Sequence, residues 1–210
     1  IASQTRPEWA RAFRQQLGAL FDGYYWSEYD GFLFGYAVLP NHLPMHIIPE
    51  NRRTMRTATE AFLAYTRRLL SWVWAGDKTM PQHALLSTVS HGYACEAGMT
   101  STLVQFNKAN NVLLVANARG AARAYRKPFW GTYQAEGAHG SPEGPQHLRM
   151  WRLALLLAYT SGASQVLDEE ALYGTHHQRA YARGDRVPRL RQKILKAFYR
   201  YVNSHPRRGR

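Results

Sequence analysis

The sequence predicts a parallel α/β fold, and three observations carry that prediction. Short aromatic or apolar runs alternate with stretches of helical periodicity. Each run is separated from the next by a crossover helix or a connection, as parallel pairing requires. Three of the five runs end in glutamate: Glu28, Glu136 and the pair Glu169-Glu170. The first run is typical, with Phe21 to Trp26 aromatic and apolar before an abrupt turn to Ser27, Glu28, Tyr29 and Asp30. A strand buried on both faces that opens into a site at its C-terminal end reads this way.

Taken in order, Thr5-Arg6-Pro7-Glu8 has capping-box spacing with Pro7 in the first turn. Trp9, Phe13, Leu17 and Leu20 then mark one face of a short helix. The strand around Tyr24 follows, and a Pro-containing connection from Tyr29 to Asn51 leaves its C-terminal end. Its length marks it as a functional loop in which His42 and His46 could touch substrate. Met55, Ala58, Phe62, Tyr65, Leu69 and Trp72 step by three and four, predicting a helix over 53–74 that Gly76 stops.

His83 to Ser90 reads as a second strand and Ser101 to Phe106 as a third. The helix expected between them is missing or reduced to a turn, and the connection carries a further carboxylate, Glu96. The next helix runs from Asn111 to Tyr125, with Val112, Val115, Ala118, Ala122 and Tyr125 inward, and breaks at Arg126-Lys127-Pro128. Phe129 to Glu136 is the fourth strand. A helix from His147 to Thr160 follows, with Leu148, Trp151, Leu155 and Ala158 inward, and then a fifth strand from Ser164 to Leu167. The last helix spans 188–202, with Leu190, Ile194, Ala197 and Tyr201 on one face.

Composition narrows the function classes. The chain has 210 residues, 45% hydrophobic and 20% charged, as expected of one folded domain over 1–210. No apolar run approaches the roughly 18–20 residues of a membrane span. A single cysteine, Cys95, excludes an intrachain disulfide and any zinc site built on several thiolates. No cofactor or metal is expected, since no phosphate-binding glycine loop appears and His91 with Cys95, or His176-His177 beside Glu169-Glu170, make weak ligand sets. The chain opens at Ile1 without Met or an apolar leader, so an upstream segment is expected to have been removed. The net charge of +13 invites a nucleic-acid partner. The basic residues are scattered over outer helices, however, which is the pattern of a solvated surface and argues against that partner.

Carboxylates at parallel strand ends should converge on one site. Two of them flanking a bond, beside flat apolar rings, are the equipment of glycoside hydrolysis. Tyr24, Trp26, Trp130 and Tyr133 are the rings, and His91, Glu96 and Glu170 complete the expected substrate-binding set. His139 and His147 flank the loop after Glu136.

Lys127-Pro128-Phe129-Trp130-Gly131 leading to Glu136 resembles the C-terminal part of a (β/α)8-barrel glycoside hydrolase. So does Trp151-Arg152-Leu153-Ala154 through Tyr159-Thr160-Ser161-Gly162-Ala163 to Glu170, as does the closing stretch Phe198 to Pro206. The resemblance implies a TIM-barrel-like fold, incomplete at about five strands because the first three have no counterpart. The missing barrel segment, or a second domain, would then be a partner. With Ser164–Leu167 as the eighth strand, Phe21–Glu28 becomes the fourth and Phe129–Glu136 the seventh. In the large retaining superfamily of these barrels that implies Glu28 as acid/base and Glu136 as nucleophile, a carbohydrate substrate, and a secreted or extracytoplasmic setting. Ser27 stands where that superfamily carries Asn. The rival readings are a non-catalytic carbohydrate-binding barrel remnant and a basic nucleic-acid-binding α/β domain.

Overall fold

The computed structural model describes residues 7–27, 29–30, 54–74, 79–106, 110–134, 145–168 and 186–207. The chain runs α1 (Pro7–Leu17), a 3-10 turn (Gly18–Leu20), β1 (Tyr24–Ser27), α2 (Met55–Trp74), β2 (Gln82–Leu86) and α3 (His91–Ala97). It continues through β3 (Ser101–Phe106), α4 (Asn111–Ala124), β4 (Trp130–Gln134), α5 (Pro145–Thr160), β5 (Gln165–Asp168) and α6 (Arg186–Ser204). The five strands pair in chain order, and every pair is parallel.

The sheet is curled into a half-barrel. Were it flat, its outer strands would lie about 19 Å apart, beyond the joint reach of two side chains. Yet the Tyr25 hydroxyl of β1 lies 2.9 Å from Gln165 Oε1 of β5, and both side chains bond the Asp22 carboxylate. Gly131 permits the curl at one tight point. A Cβ there would meet the Gln165 carbonyl oxygen at 2.9 Å and the Leu103 side chain at 3.1 Å.

Register separates the two faces. Tyr25, His83 and Ser101 share the concave side, as do Leu103, Gly131 and Gln165 one level up and Gln105, Tyr133 and Leu167 above them. Trp26, Ala84, Thr102, Trp130 and Val166 face the helices. β2 and β3 are buried along their whole length, as expected of central parallel strands covered on both sides.

Two clusters fill the space between sheet and helices. Trp26, Phe62, Leu70, Met80, Ala84, Leu86, Ala94 and Met99 form one, under α2 and α3. Val104, Phe106, Val115, Ala118, Ala122, Trp130, Ala154 and Ala158 form the other, under α4 and α5. Gln82 ties the first together: its Oε1 accepts from Trp26 Nε1 at 2.8 Å, and its Nε2 donates to the Leu70 carbonyl.

Helix boundaries follow local chemistry. Thr54 and Thr57 cap α2 reciprocally, each hydroxyl accepting the other's backbone N–H at 3.1 and 2.8 Å. The Asn110 side chain caps α4 through the Leu113 N–H. Among the described residues no helix is long and apolar enough to cross a membrane.

Several expectations need correction. The segment between β2 and β3 is not a bare turn but the seven-residue α3. Seven residues are too few to display a helical period, so the sequence pattern could not reveal it. Val112 and Tyr125 point outward from α4, and the buried face runs instead through Leu114, Val115, Ala118, Ala121 and Ala122. On α6 the inward residue is Phe198 with Arg191, while Ala197 and Tyr201 are exposed. Met55 is exposed on α2, where Leu63, Thr66 and Leu70 join Phe62 instead. The stripe Trp9, Phe13, Leu17 and Leu20 lies open, between 46% and 84% exposed.

Candidate functional site

The C-terminal ends of β1 and β2 meet in a polar knot around Asp30. The carboxylate is fully buried and accepts from the Thr88 N–H at 2.9 Å and the Ser87 N–H at 3.1 Å. The hydroxyls of Thr88 and Ser90 donate to it at 2.6 and 3.0 Å. β2 thus leaves the sheet through a turn whose backbone and side chains all converge on one anion from the neighbouring strand. Charge-assisted bonds of this kind are the stronger class of hydrogen bond. Asp30 was missed as a site residue in the sequence. The signal for it lies far away in the chain, in Ser87-Thr88-Val89-Ser90, a concentration of donors at a strand end that calls for an acceptor.

His91 opens α3 directly after this turn. It is fully buried between α3 and the helix-facing side of the sheet, with Nδ1 2.6 Å from the Thr102 hydroxyl. Its Nε2 meets no hydrogen-bond partner among the described residues. Burial pushes its pKa down to about 4, against a smaller pull from the Asp30 charge, so the ring is neutral at pH 7. Ser90 turns its hydroxyl to Asp30 and His91 turns its Nδ1 to Thr102, so the neighbours do not form a serine–histidine nucleophile pair.

At the opposite, N-terminal end of the concave face a second network closes the half-barrel. His83 Nε2 lies 3.0 Å from the Asp22 carbonyl, an acceptor only, so Nε2 carries the proton. Nδ1 then accepts from the Ser101 hydroxyl at 2.7 Å, and burial holds the ring neutral by lowering its pKa. Tyr25 and Phe129 flank this imidazole at 4.7 and 5.2 Å between centroids. Gly23 is required here, since a Cβ would sit 2.6 Å from His83 Nε2.

Of the expected site residues, Glu28, Glu136, Glu170 and the flanking Glu169 lie outside the described residues, as do His42, His46, His139, His176 and His177. His147 falls in α5, with only its backbone described. The remaining six are not brought together. Trp26 and Trp130, 3% and 6% exposed, are packed into the helix-facing core, and half-buried Tyr24 packs against Trp26 on that side with its ring tilted. Neither tryptophan offers an open ring face. The cause is register: in a parallel sheet both faces are apolar, so alternation alone does not tell the inward row from the outward one. Tyr29 is likewise buried in the helix layer, stacked on Phe62 at 5.5 Å.

Glu96 sits near the end of α3, beside the N-terminal ends of the strands, where it accepts from the exposed Tyr125 hydroxyl at 3.2 Å. It is therefore at the far end of the sheet from Asp30. Of the six, Tyr133 alone faces the concave side near a strand C-terminus, buried in a cluster with Leu85 and Leu103 against which Tyr25 and Leu167 pack. Close to it in the chain, Gln134 ends β4 with its Oε1 buried and without a hydrogen-bond partner among the described residues. No group of three or more His, Cys, Asp or Glu that could hold a metal occurs among the described residues.

No protein-family model matches the chain, and neither does any curated protein or solved structure.

Proposed function

We propose that this chain is the C-terminal part of a (β/α)8-barrel glycoside hydrolase, in which Glu28 is the acid/base and Glu136 the nucleophile. One observation carries the reading. Tyr25 of β1 and Tyr133 of β4 belong to a single cluster on the concave face of a curled parallel sheet. In the sequence Glu28 directly follows β1 and Glu136 comes two positions after β4, and it is beyond strand C-termini that parallel α/β enzymes hold their chemistry. The curl brings strands that are not neighbours in the sheet toward one axis, as two carboxylates about 5–5.5 Å apart would require.

In this mechanism Glu28 gives its proton to the departing glycosidic oxygen while Glu136 attacks the anomeric carbon. The C–O bond to the leaving group breaks as a glycosyl-enzyme ester forms. Glu28 then takes a proton from water, which attacks the same carbon and releases Glu136. Glu170 would orient sugar hydroxyls. Burial of Trp26 and Trp130 in the core removes them as sugar platforms from this reading and from the carbohydrate-binding remnant alike.

A panel of aryl glycosides with good and poor leaving groups tests the proposal. Glu136→Gln should abolish turnover of all of them. Glu28→Gln should slow poor leaving groups by about 10²–10⁴-fold while sparing good ones, which need little protonation. Equal rates in wild type and both variants would overturn the assignment.

A further inference from the structure

We infer that the cleft at the N-terminal end of β4 and β5 binds a ligand carrying phosphates in series, a phosphodiester strand or a free oligophosphate. The cleft has a volume of about 1160 Å³ and lies at the opposite end of the strands from Asp30, so the inference is independent of the hydrolase reading. Five cations line it: Arg119, Arg123, Arg126, Lys127 and Arg207. No carboxylate does so among the described residues.

The simplest competing account is that these cations only neutralise helix ends. Three helices, α4, α5 and α6, do end at this cleft. Each C-terminus is equivalent to about −0.5 charge, so together they offset about 1.5 of the five positive charges. Arg207 serves that purpose visibly: its guanidinium donates to the carbonyls of Tyr159 and Ala163 at 3.3 and 2.8 Å and lies over the Tyr159 ring. Arg119, Arg126 and Lys127 add positive charge beyond what the helix ends offset.

The backbone singles out one of them. α3, α4 and α5 all close with the same pair of reverse hydrogen bonds, which puts one residue in the left-handed region. α3 and α5 place glycine there, Gly98 and Gly162. α4 places Arg126, at φ 51°, the only non-glycine residue with positive φ among those described. A side chain at such a position costs about 1 kcal/mol relative to glycine. Here it adds a guanidinium to the cleft wall. Arg119 and Arg123 follow one edge of α4 at a step of about 6 Å along the axis, and Arg126 adds a guanidinium just past its end. Guanidinium forks along one cleft wall suit phosphate groups in series, each of which can be held bidentately.

The experiment is fluorescence anisotropy of a labelled single-stranded oligothymidylate on the full chain, titrated against salt, with tripolyphosphate as unlabelled competitor. Four phosphate contacts predict an affinity that falls about 50-fold between about 50 and 200 mM salt. In the triple variant Arg119→Gln, Arg126→Gln, Lys127→Gln the fall should shrink to about 3-fold. The matching Lys substitutions at Arg119 and Arg126 should keep the wild-type slope, which separates lost charge from lost packing. As a control of equal net charge, Arg67→Gln, Arg68→Gln, Arg152→Gln should behave as wild type. Tripolyphosphate binding by titration calorimetry, with no binding of the oligonucleotide, would assign the cleft to a free oligophosphate. If neither probe binds, or if the cleft and control triples lose affinity equally, the cleft is not a site and the inference fails.

Discussion

Replacing Asp30 by alanine should destabilise the fold by about 2–4 kcal/mol, and the figure follows from its four close partners. The hydroxyls of Thr88 and Ser90 can rotate to other acceptors. The N–H groups of Ser87 and Thr88 cannot, because the turn after β2 fixes them. Each stranded donor costs about 1–3 kcal/mol when fully desolvated, and Ser87 and Thr88 are only half-buried, which reduces that cost. Asn in place of Asp30 keeps an oxygen for the two N–H groups, and the freed hydroxyls can accept from its amide. Its effect should stay near 1 kcal/mol, within the usual value of one neutral hydrogen bond. Urea unfolding of both variants against wild type, at constant m-value, measures the difference. An alanine variant within 0.5 kcal/mol of wild type, about the range of surface substitutions, would refute the claim that this carboxylate organises the strand ends.

Two further outcomes concern buried groups. His91 is neutral in the folded chain with a pKa pushed down to about 4, against about 6.5 when unfolded. Its contribution is therefore complete above pH 6.5 and is lost as pH falls toward 4, by about 3 kcal/mol in all. Burial of His83 lowers its pKa too and adds to the same acid-side loss. Urea titrations at neutral and mildly acidic pH should show a shallower decline for His91→Gln than for wild type, and coincident declines would contradict the assignment. Cys95 is 2% exposed, and burial raises its thiol pKa to about 11. A disulfide reagent at pH 8 should label it only as fast as the chain opens, whereas immediate labelling in native buffer would show a reactive surface thiol.

Much of the fold was legible in the sequence because its signals are local. β3 occupies the predicted run from Ser101 to Phe106, and α4 starts at the predicted Asn111 behind an Asn110 cap. On α5 the predicted inward residues Leu148, Trp151, Leu155 and Ala158 are all buried, since a stripe at helical spacing names its own face. The alternation of strand and helix implied parallel pairing before any contact was known. The candidate site was less legible. Tyr25 and Trp26 are adjacent aromatics of equal apolarity, yet one faces the concave side and the other the helices.

What the sequence by itself determined is the order and type of the elements, α3 excepted, and the parallel sheet they build, because periodicity, caps and turn chemistry act over a few residues. The tertiary structure alone decided which aromatic row faces inward, that Asp30 meets Ser87, Thr88 and Ser90, and that cations from α4 and the chain's end share one cleft with α5. These arrangements join residues far apart in the chain. They depend on how much a sheet curls and how helices lie across it, which no local pattern encodes.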